Sequence, residues 1–166
     1  MSQPKTGKEV ILGANIKIGK KVVIWNYVVI GDDTEIGNGS RIGSFCDIGK
    51  NVKIGKNCII QSHVTISNGC FIGDNVFIGP NCSLLNDKYP KSDLLSPSKV
   101  KDDVIIGGGS IILPSVVVGQ KSVIGGGSVV TKDVLPNKVV AGSPAKQIMN
   151  LKEYLKKQKE YNQDSR

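Results

Sequence analysis

Residues 30–55 read IGDDTEIGNGSRIGSFCDIGKNVKIG. Isoleucine recurs at every sixth position, at Ile30, Ile36, Ile42, Ile48 and Ile54, and glycine follows it each time. Working outward, Ile or Leu keeps the beat from Leu12 to Leu84 without a miss. After an irregular stretch the beat resumes at Ile106, Ile112, Val118, Ile124 and Val130. A short fixed period marks a solenoid, in which each repeat buries its apolar residue against its neighbours. A second inward column falls two residues before the beat, the alternation of a short strand. Asn15, Asp33, Gly39, Asn51, Asn57, Gly69, Asn75 and Asn81 lie three after it. These residue types accept positive φ, so the chain turns at each repeat.

At 166 residues the chain is long enough for one domain with a real core. The formal net charge of +8 favours anionic partners. The basic residues are scattered over the repeat turns rather than gathered in a stripe, so no nucleic acid is expected. No apolar run is long enough to span a membrane, and the N-terminus, MSQPKTGKEV, is polar. A cytoplasmic chain without membrane insertion is the expectation. Cys46, Cys58, Cys70 and Cys82 are spaced by twelve, in the second inward column. They read as buried free thiols acting as small apolar side chains, neither a disulfide framework nor a metal set.

The repeat resembles the hexapeptide-repeat left-handed β-helix family. That resemblance implies an all-β fold, a triangular prism with three strands and eighteen residues per coil. Residues 10–84 then make about four coils and 104–142 about two more. Between them the segment 84–103, LLNDKYPKSDLLSPSKVKDD, breaks the beat and is expected to form an extruded loop with a function. The domain is expected over 1–148. A helical tail over 149–166, with Leu151, Tyr154, Leu155 and Gln158 at helical spacing, would cap the last coil.

Function must come from departures from monotony. His63, the only histidine, stands at a turn position, points outward and is a candidate general base. Counting by eighteen, it shares a corner with Tyr27, Phe45 and Asn81, a strip that leads toward the root of the loop and suits the wall of a groove for a nucleotide and its sugar. The loop offers Asn86, Asp87, Lys88, Tyr89 and Lys91, a mixture suited to a polyhydroxylated, charged ligand. Gly107–109 and Gly125–127 stack on one corner and leave bare backbone for a long thin ligand. At the C-terminal rim Lys132 and Lys146 are placed to meet phosphates.

The segment IGGGSVVTKDVLPNKVVAGSPAKQI (124–148) is similar to the acyl-CoA-binding end of hexapeptide acyltransferases. IWNYVVIG (24–31) and NDKYPK (86–91) resemble segments of enzymes that acetylate the 3-amino group of nucleotide-linked amino sugars, such as UDP-2-acetamido-3-amino-2,3-dideoxyglucuronate or dTDP-3-amino-3,6-dideoxyhexoses. Those relatives often show His after the Trp and Arg after the loop Pro; here Asn26 and Lys91 stand instead. The resemblance implies an acetyl-CoA-dependent N-acetyltransferase of surface glycan biosynthesis, a homotrimer with sites between neighbouring prisms and no metal. It assigns His63, Asn86 and Asp87 to catalysis. Trp25, Asn26, Tyr27, Phe45, Asn81, Lys88, Tyr89 and Lys91 would hold the sugar nucleotide. Gly108, Gly109, Gly126, Gly127, Ser128, Lys132, Pro144 and Lys146 would hold the acetyl-CoA. The alternatives are O-acetylation of a sugar hydroxyl, and a non-catalytic scaffold. A γ-type carbonic anhydrase shares the fold but requires three His on zinc, and this chain has one.

Overall fold

A computed structural model describes residues 4–164. Strands β1 (Lys5–Thr6) to β20 (Val129–Val130) are each two residues long and deal themselves in turn onto three parallel sheets. The sheets have nine, seven and six strands and form the three faces of a prism. Corner one joins the first face to the second, corner two the second to the third, and corner three the third back to the first. Partners across a coil are eighteen residues apart, as in Val23↔Arg41 and Val29↔Asp47. The fold is a β-helix of about eight turns, with one helix, α1 (Leu151–Asp164), at its end. Among the described residues no helix is long and apolar enough to cross a membrane.

The beat residues fill the interior: from Ile24 to Val130 they are at most 3% exposed. Each such side chain contributes about 1.5–3 kcal/mol by leaving water, which is how strands of two residues persist. The four thiols are buried and free, as expected. They are also more than small hydrophobes. Cys46, Cys58 and Cys82 donate Sγ–H to the carbonyls of Gln61, Gly73 and Gly107 one coil on, at 3.1, 3.0 and 3.2 Å. Thr34 and Ser40 place Oγ on the carbonyls of Gly49 and Gly55 in the same way. The second inward column is therefore a row of small side chains, several of them tying one coil to the next.

Two boundaries differ from the sequence reading. The beat resumes one repeat earlier than Ile106, at Val100, which pairs beside Ile72. Register steps from 18 to 28 positions across the loop, so the insertion is ten residues and the excursion runs from 85 to 98 rather than 84 to 103. Second, the prism does not end directly in a helix. After β21 (Lys138–Ala141) the chain reverses into an antiparallel strand, β22 (Lys146–Asn150). Helix α1 follows with a reciprocal cap, Asn150 Oδ1 on the Glu153 N–H and Glu153 Oε2 on the Asn150 N–H. Its first residue is anchored by the Leu151 N–H on the Asn137 carbonyl.

Apart from the corner that carries the loop and the turn after β20, each corner between strands turns through one residue of positive φ, and the eight read from sequence are all among them. The glycines beside the corners permit close stacking of coils. A Cβ at Gly107 would lie 2.5 Å from the Gly126 nitrogen. Gly107→Ala is therefore expected to destabilise by about 1–3 kcal/mol as overpacking. Gly127 has open space but φ +68°, so Gly127→Asn should cost less than Gly127→Val; denaturant titration checks the order. Burial raises the pKa of all four thiols. They should resist a thiol reagent in the native state and react together on unfolding. Because the folded pKa is the higher one, their contribution to stability is complete below the ordinary thiol range and declines as pH rises through it. Melting temperatures measured up an alkaline series test this.

Candidate active site

Corner one carries the stacked aromatic rings, the imidazole and the paired glycines. Its positive-φ positions, in order up the prism, are Glu9, Tyr27, Phe45, His63, Asn81, Gly109 and Gly127. From Tyr27 upward each N–H in this series bonds to a carbonyl of the coil below, as His63 to Ser44, Asn81 to Ser62, Gly109 to Pro80 and Gly127 to Gly108. Tyr27, Phe45 and His63 stack face to face, with centroids 5.0 and 4.9 Å apart and planes within 14° and 8°. Tyr27 and Phe45 are about half exposed. The imidazole thus faces solvent with one side braced by a ring. No hydrogen bond to it is made within the described residues.

Above His63 the same edge becomes bare backbone. Gly108 and Gly126 stack over Pro80, and their N–H groups make no hydrogen bond within the described residues. The turn between β21 and β22 closes the top of the edge. Gly142 receives the Val129 N–H and donates its own to Ser128, and the Ala145 N–H reaches the Val129 carbonyl. That brings Pro144 and Lys146 to the end of the glycine edge. The structure thus joins on one corner two features that the sequence presents separately, the aromatic–His strip and the glycine ladder.

Other assigned residues have different places. The strip of Tyr27, Phe45, His63 and Asn81 does not run to the loop root: the loop leaves corner two, after β14 (Ser83–Leu84). Asn86 is there because its amide donates to the Asn68 carbonyl at 3.0 Å, and its own carbonyl accepts Ser96 N–H at 2.6 Å. Asn86 fastens the neck of the loop. Asp87 is the staple within it, one carboxylate oxygen on the Tyr89 N–H and the other on the Ser92 N–H. Neither carboxylate oxygen is idle, which argues against Asp87 as a base, and neither residue shares a corner with His63 in one chain. Lys88 lies over the Tyr89 ring at 5.7 Å, and Tyr89, Leu94 and Leu95 are exposed; Lys91 is exposed too.

Ser128 is a correction. It is fully buried, with its hydroxyl on the Gly125 carbonyl, so it faces the core and not a ligand. Lys132 projects at corner two with the loop, away from the glycines. Asn26 accepts the Lys8 N–H at 2.8 Å, the same lateral tie that Asp32, Asn38 and Asn68 make to Ala14, Lys20 and Lys50. Its amide oxygen is thus committed to the scaffold.

Beside corner one, on the first face, lies a groove of about 350 Å³ lined by Trp25, Arg41, Ser44, Ile59, Gln61 and Ser62. Of these, sequence reasoning found only Trp25. Arg41 sits on an outward strand position, where periodicity says nothing, and that it is one of only two arginines was the available signal; Gln61 stands where glycine usually follows the beat, and that departure was the signal for it.

A family model described as bacterial transferase hexapeptide (six repeats) matches residues 33–68 and 97–132, on either side of the loop. A 2,3,4,5-tetrahydropyridine-2,6-dicarboxylate N-acetyltransferase of Clostridium perfringens is 41% identical over 71 residues, 43% of this chain and 30% of that protein. The curated relatives it matches are thus spanned over only 27 to 30% of their length. Among solved structures, WeeI from Acinetobacter baumannii superposes with a TM-score of 0.64 at 29% identity, covering 73% of this chain and 55% of that one. The N-acyltransferase AntD from Bacillus cereus, solved with dTDP-4-amino-4,6-dideoxyglucose and coenzyme A, shares the fold with a TM-score of 0.65 at 23% identity over 96% and 92% of the chains. Repeat, coil geometry and neighbours agree: the chain is a β-helix similar to the bacterial transferase hexapeptide proteins, whose repeat model it matches over 33–68 and 97–132.

Proposed function

We propose that this protein transfers an acetyl group from acetyl-CoA to the amino group of a nucleotide-linked amino sugar, at C3, for surface glycan synthesis, and that it works as a homotrimer. The observation that carries this reading is the single edge on which His63 stands two coils below the first of the unpaired glycine N–H groups, with Asn81 between. Relatives named as N-acetyl- and N-acyltransferases support the reaction class.

The residues fit the donor. A pantetheine arm is thin and carries two amides, and side chains at Gly108 and Gly126 would stand where it must lie. A Cβ at Gly108 would meet Pro80 Cδ at 3.1 Å, and one at Gly126 the Gly108 carbonyl at 3.3 Å. The free N–H groups of Gly108 and Gly126 are donors for an amide or for the developing oxyanion. Lys146, at the top of the edge, is available to phosphate.

In the reaction a C–N bond forms as the thioester C–S bond breaks. The proton shed by the amine passes to His63, and the departing thiolate is protonated in turn. A neutral amine attacks without help, so the base matters most where the amine is still protonated. His63→Ala should therefore lower turnover about 10²-fold near neutral pH and much less at high pH; a small, pH-independent effect would leave His63 as a turn residue. The exposed loop of one chain and the His63 corner of another complete a site only in an assembly, which is the ground for the trimer. Shortening the loop across 86–91 should abolish acceptor turnover while CoA binding and the fold persist, and light scattering reports the oligomer.

A second reading follows from the Clostridium relative, whose acceptor is a small dicarboxylate. Thiol release from acetyl-CoA, assayed against UDP- and dTDP-linked 3-amino and 4-amino sugars, tetrahydropyridine-2,6-dicarboxylate and galactosides, decides between them. Turnover on the dicarboxylate alone would overturn the sugar reading. Turnover on galactosides would make the chain an O-acetyltransferase. The absence of CoA binding would make it a scaffold.

A further inference from the structure

Arg41 is one of two arginines in the chain, the other being the terminal Arg166, among 22 Lys and Arg in all. It points outward from β7 (Arg41–Ile42), in register between Val23 of β4 (Val23–Ile24) and Ile59 of β10 (Ile59–Ile60). Both neighbours are apolar. The ion pairs among the described residues are Lys17–Glu35, Lys50–Asp32 and Lys156–Glu160, and Arg41 has neither an ion pair nor a side-chain hydrogen bond. The contrast with the third face is direct: there Lys17 sits beside Glu35 and is neutralised at 2.9 Å. At Arg41 the chain holds a planar five-donor cation with no anion of its own.

Its surroundings suit one ligand chemistry. The indole of Trp25 is 55% exposed and lines the same groove. The Gln61 side-chain amide, also unpartnered within the described residues, offers one acceptor and two donors. Aromatic faces take nucleobases without regard to sequence, an amide reads a base edge, and an arginine fork grips phosphate oxygens. At about 350 Å³ the groove is at the lower end of the range for small-molecule sites, about 300–1,000 Å³. It opens onto corner one at Ser44 and Ser62, the residues just before Phe45 and His63.

We infer that this groove holds the nucleoside diphosphate end of the acceptor, with the base on Trp25 and Gln61 and the diphosphate on Arg41, so that the attached sugar reaches the His63 corner. The inference rests on the proposed reaction for its direction, but the groove binds the nucleoside diphosphate whether or not a sugar is attached.

The test is calorimetry on the full chain with UDP, dTDP and GDP, each against its monophosphate and nucleoside, and with CoA as control. Wild type should bind at least one diphosphate more tightly than its monophosphate. Arg41→Met should weaken the diphosphate about 10- to 100-fold and abolish its advantage over the monophosphate. Arg41→Lys should restore only a small part, since it lacks the fork, and CoA binding and melting temperature should stay unchanged. Trp25→Ala should weaken diphosphate, monophosphate and nucleoside alike. Failure of wild type to bind any diphosphate while binding CoA overturns the inference, as does Arg41→Met binding diphosphates like wild type. Arg41-dependent diphosphate binding without any acetyl transfer would leave the groove standing and remove the proposed reaction. Turnover with a KM indifferent to Arg41 would do the reverse.

Discussion

The whole structure depends on one constraint: each coil must return to its starting corner in eighteen residues using three strands of two residues each. Strands so short cannot hold themselves, so the coil is kept by its neighbours above and below. That forces the apolar residue to recur at every sixth place, and it forces each corner to turn within a residue or two. The turn is made through a left-handed residue, which costs a side chain about 1–2 kcal/mol unless it is Gly, or locally bonded Asn or Asp. Corners two and three largely obey this economy, with Asn15, Asp33, Asn51 and Gly69 on one and Gly39, Asn57, Asn75 and Asp103 on the other.

Corner one does not. Tyr27, Phe45 and His63 are bulky rings in a conformation that disfavours them. Their stacking at 5.0 and 4.9 Å recovers part of the cost, but Asn at each would recover more. A costly choice repeated on three successive coils, on the one edge that then turns to bare glycine, is a reason to look there for chemistry.

The sequence made the interior and the corners legible because both are fixed by a period. Beat residues, inward thiols, turn residues, the stacked aromatic corner and the paired glycine triplets all follow from counting by six and eighteen. What it hid depends on partners rather than period. Ser128 reads as part of a glycine-rich ligand edge, yet it occupies the inward column and spends its hydroxyl on Gly125 and Gly142. Asn26 reads as an exposed recognition residue, yet it ties down Lys8. Asp87 reads as a free carboxylate, yet it is consumed by its own loop. The ten-residue insertion displaced the beat by a non-multiple of six and so concealed Val100. The outward strand positions carry no periodic signal at all, which is why Arg41 went unread.

These facts set how a regular scaffold comes to hold an irregular site. A β-helix can vary only where side chains leave the prism: at the corners, on the outer strand positions, and at an inserted loop. Here the three kinds of variation are not gathered at one point of the chain. The braced imidazole and the glycine edge share corner one, the groove of Trp25 and Arg41 adjoins it on the first face, and the loop leaves from corner two. The loop is tied to corner two by the Asn86 amide on the Asn68 carbonyl, by the Ser96 N–H on the Asn86 carbonyl and by the Ser115 N–H on the Ser96 carbonyl. Either the loop belongs to a different site, or the corner of a second copy comes to meet it. The exposed Tyr89, Leu94 and Leu95 at the loop weigh toward the second, since apolar side chains carried so far from the core gain only if another surface covers them. On the proposed reading assembly is part of catalysis rather than an addition to it, because a single chain holds the proposed base and donor edge on one corner and the proposed recognition loop on another.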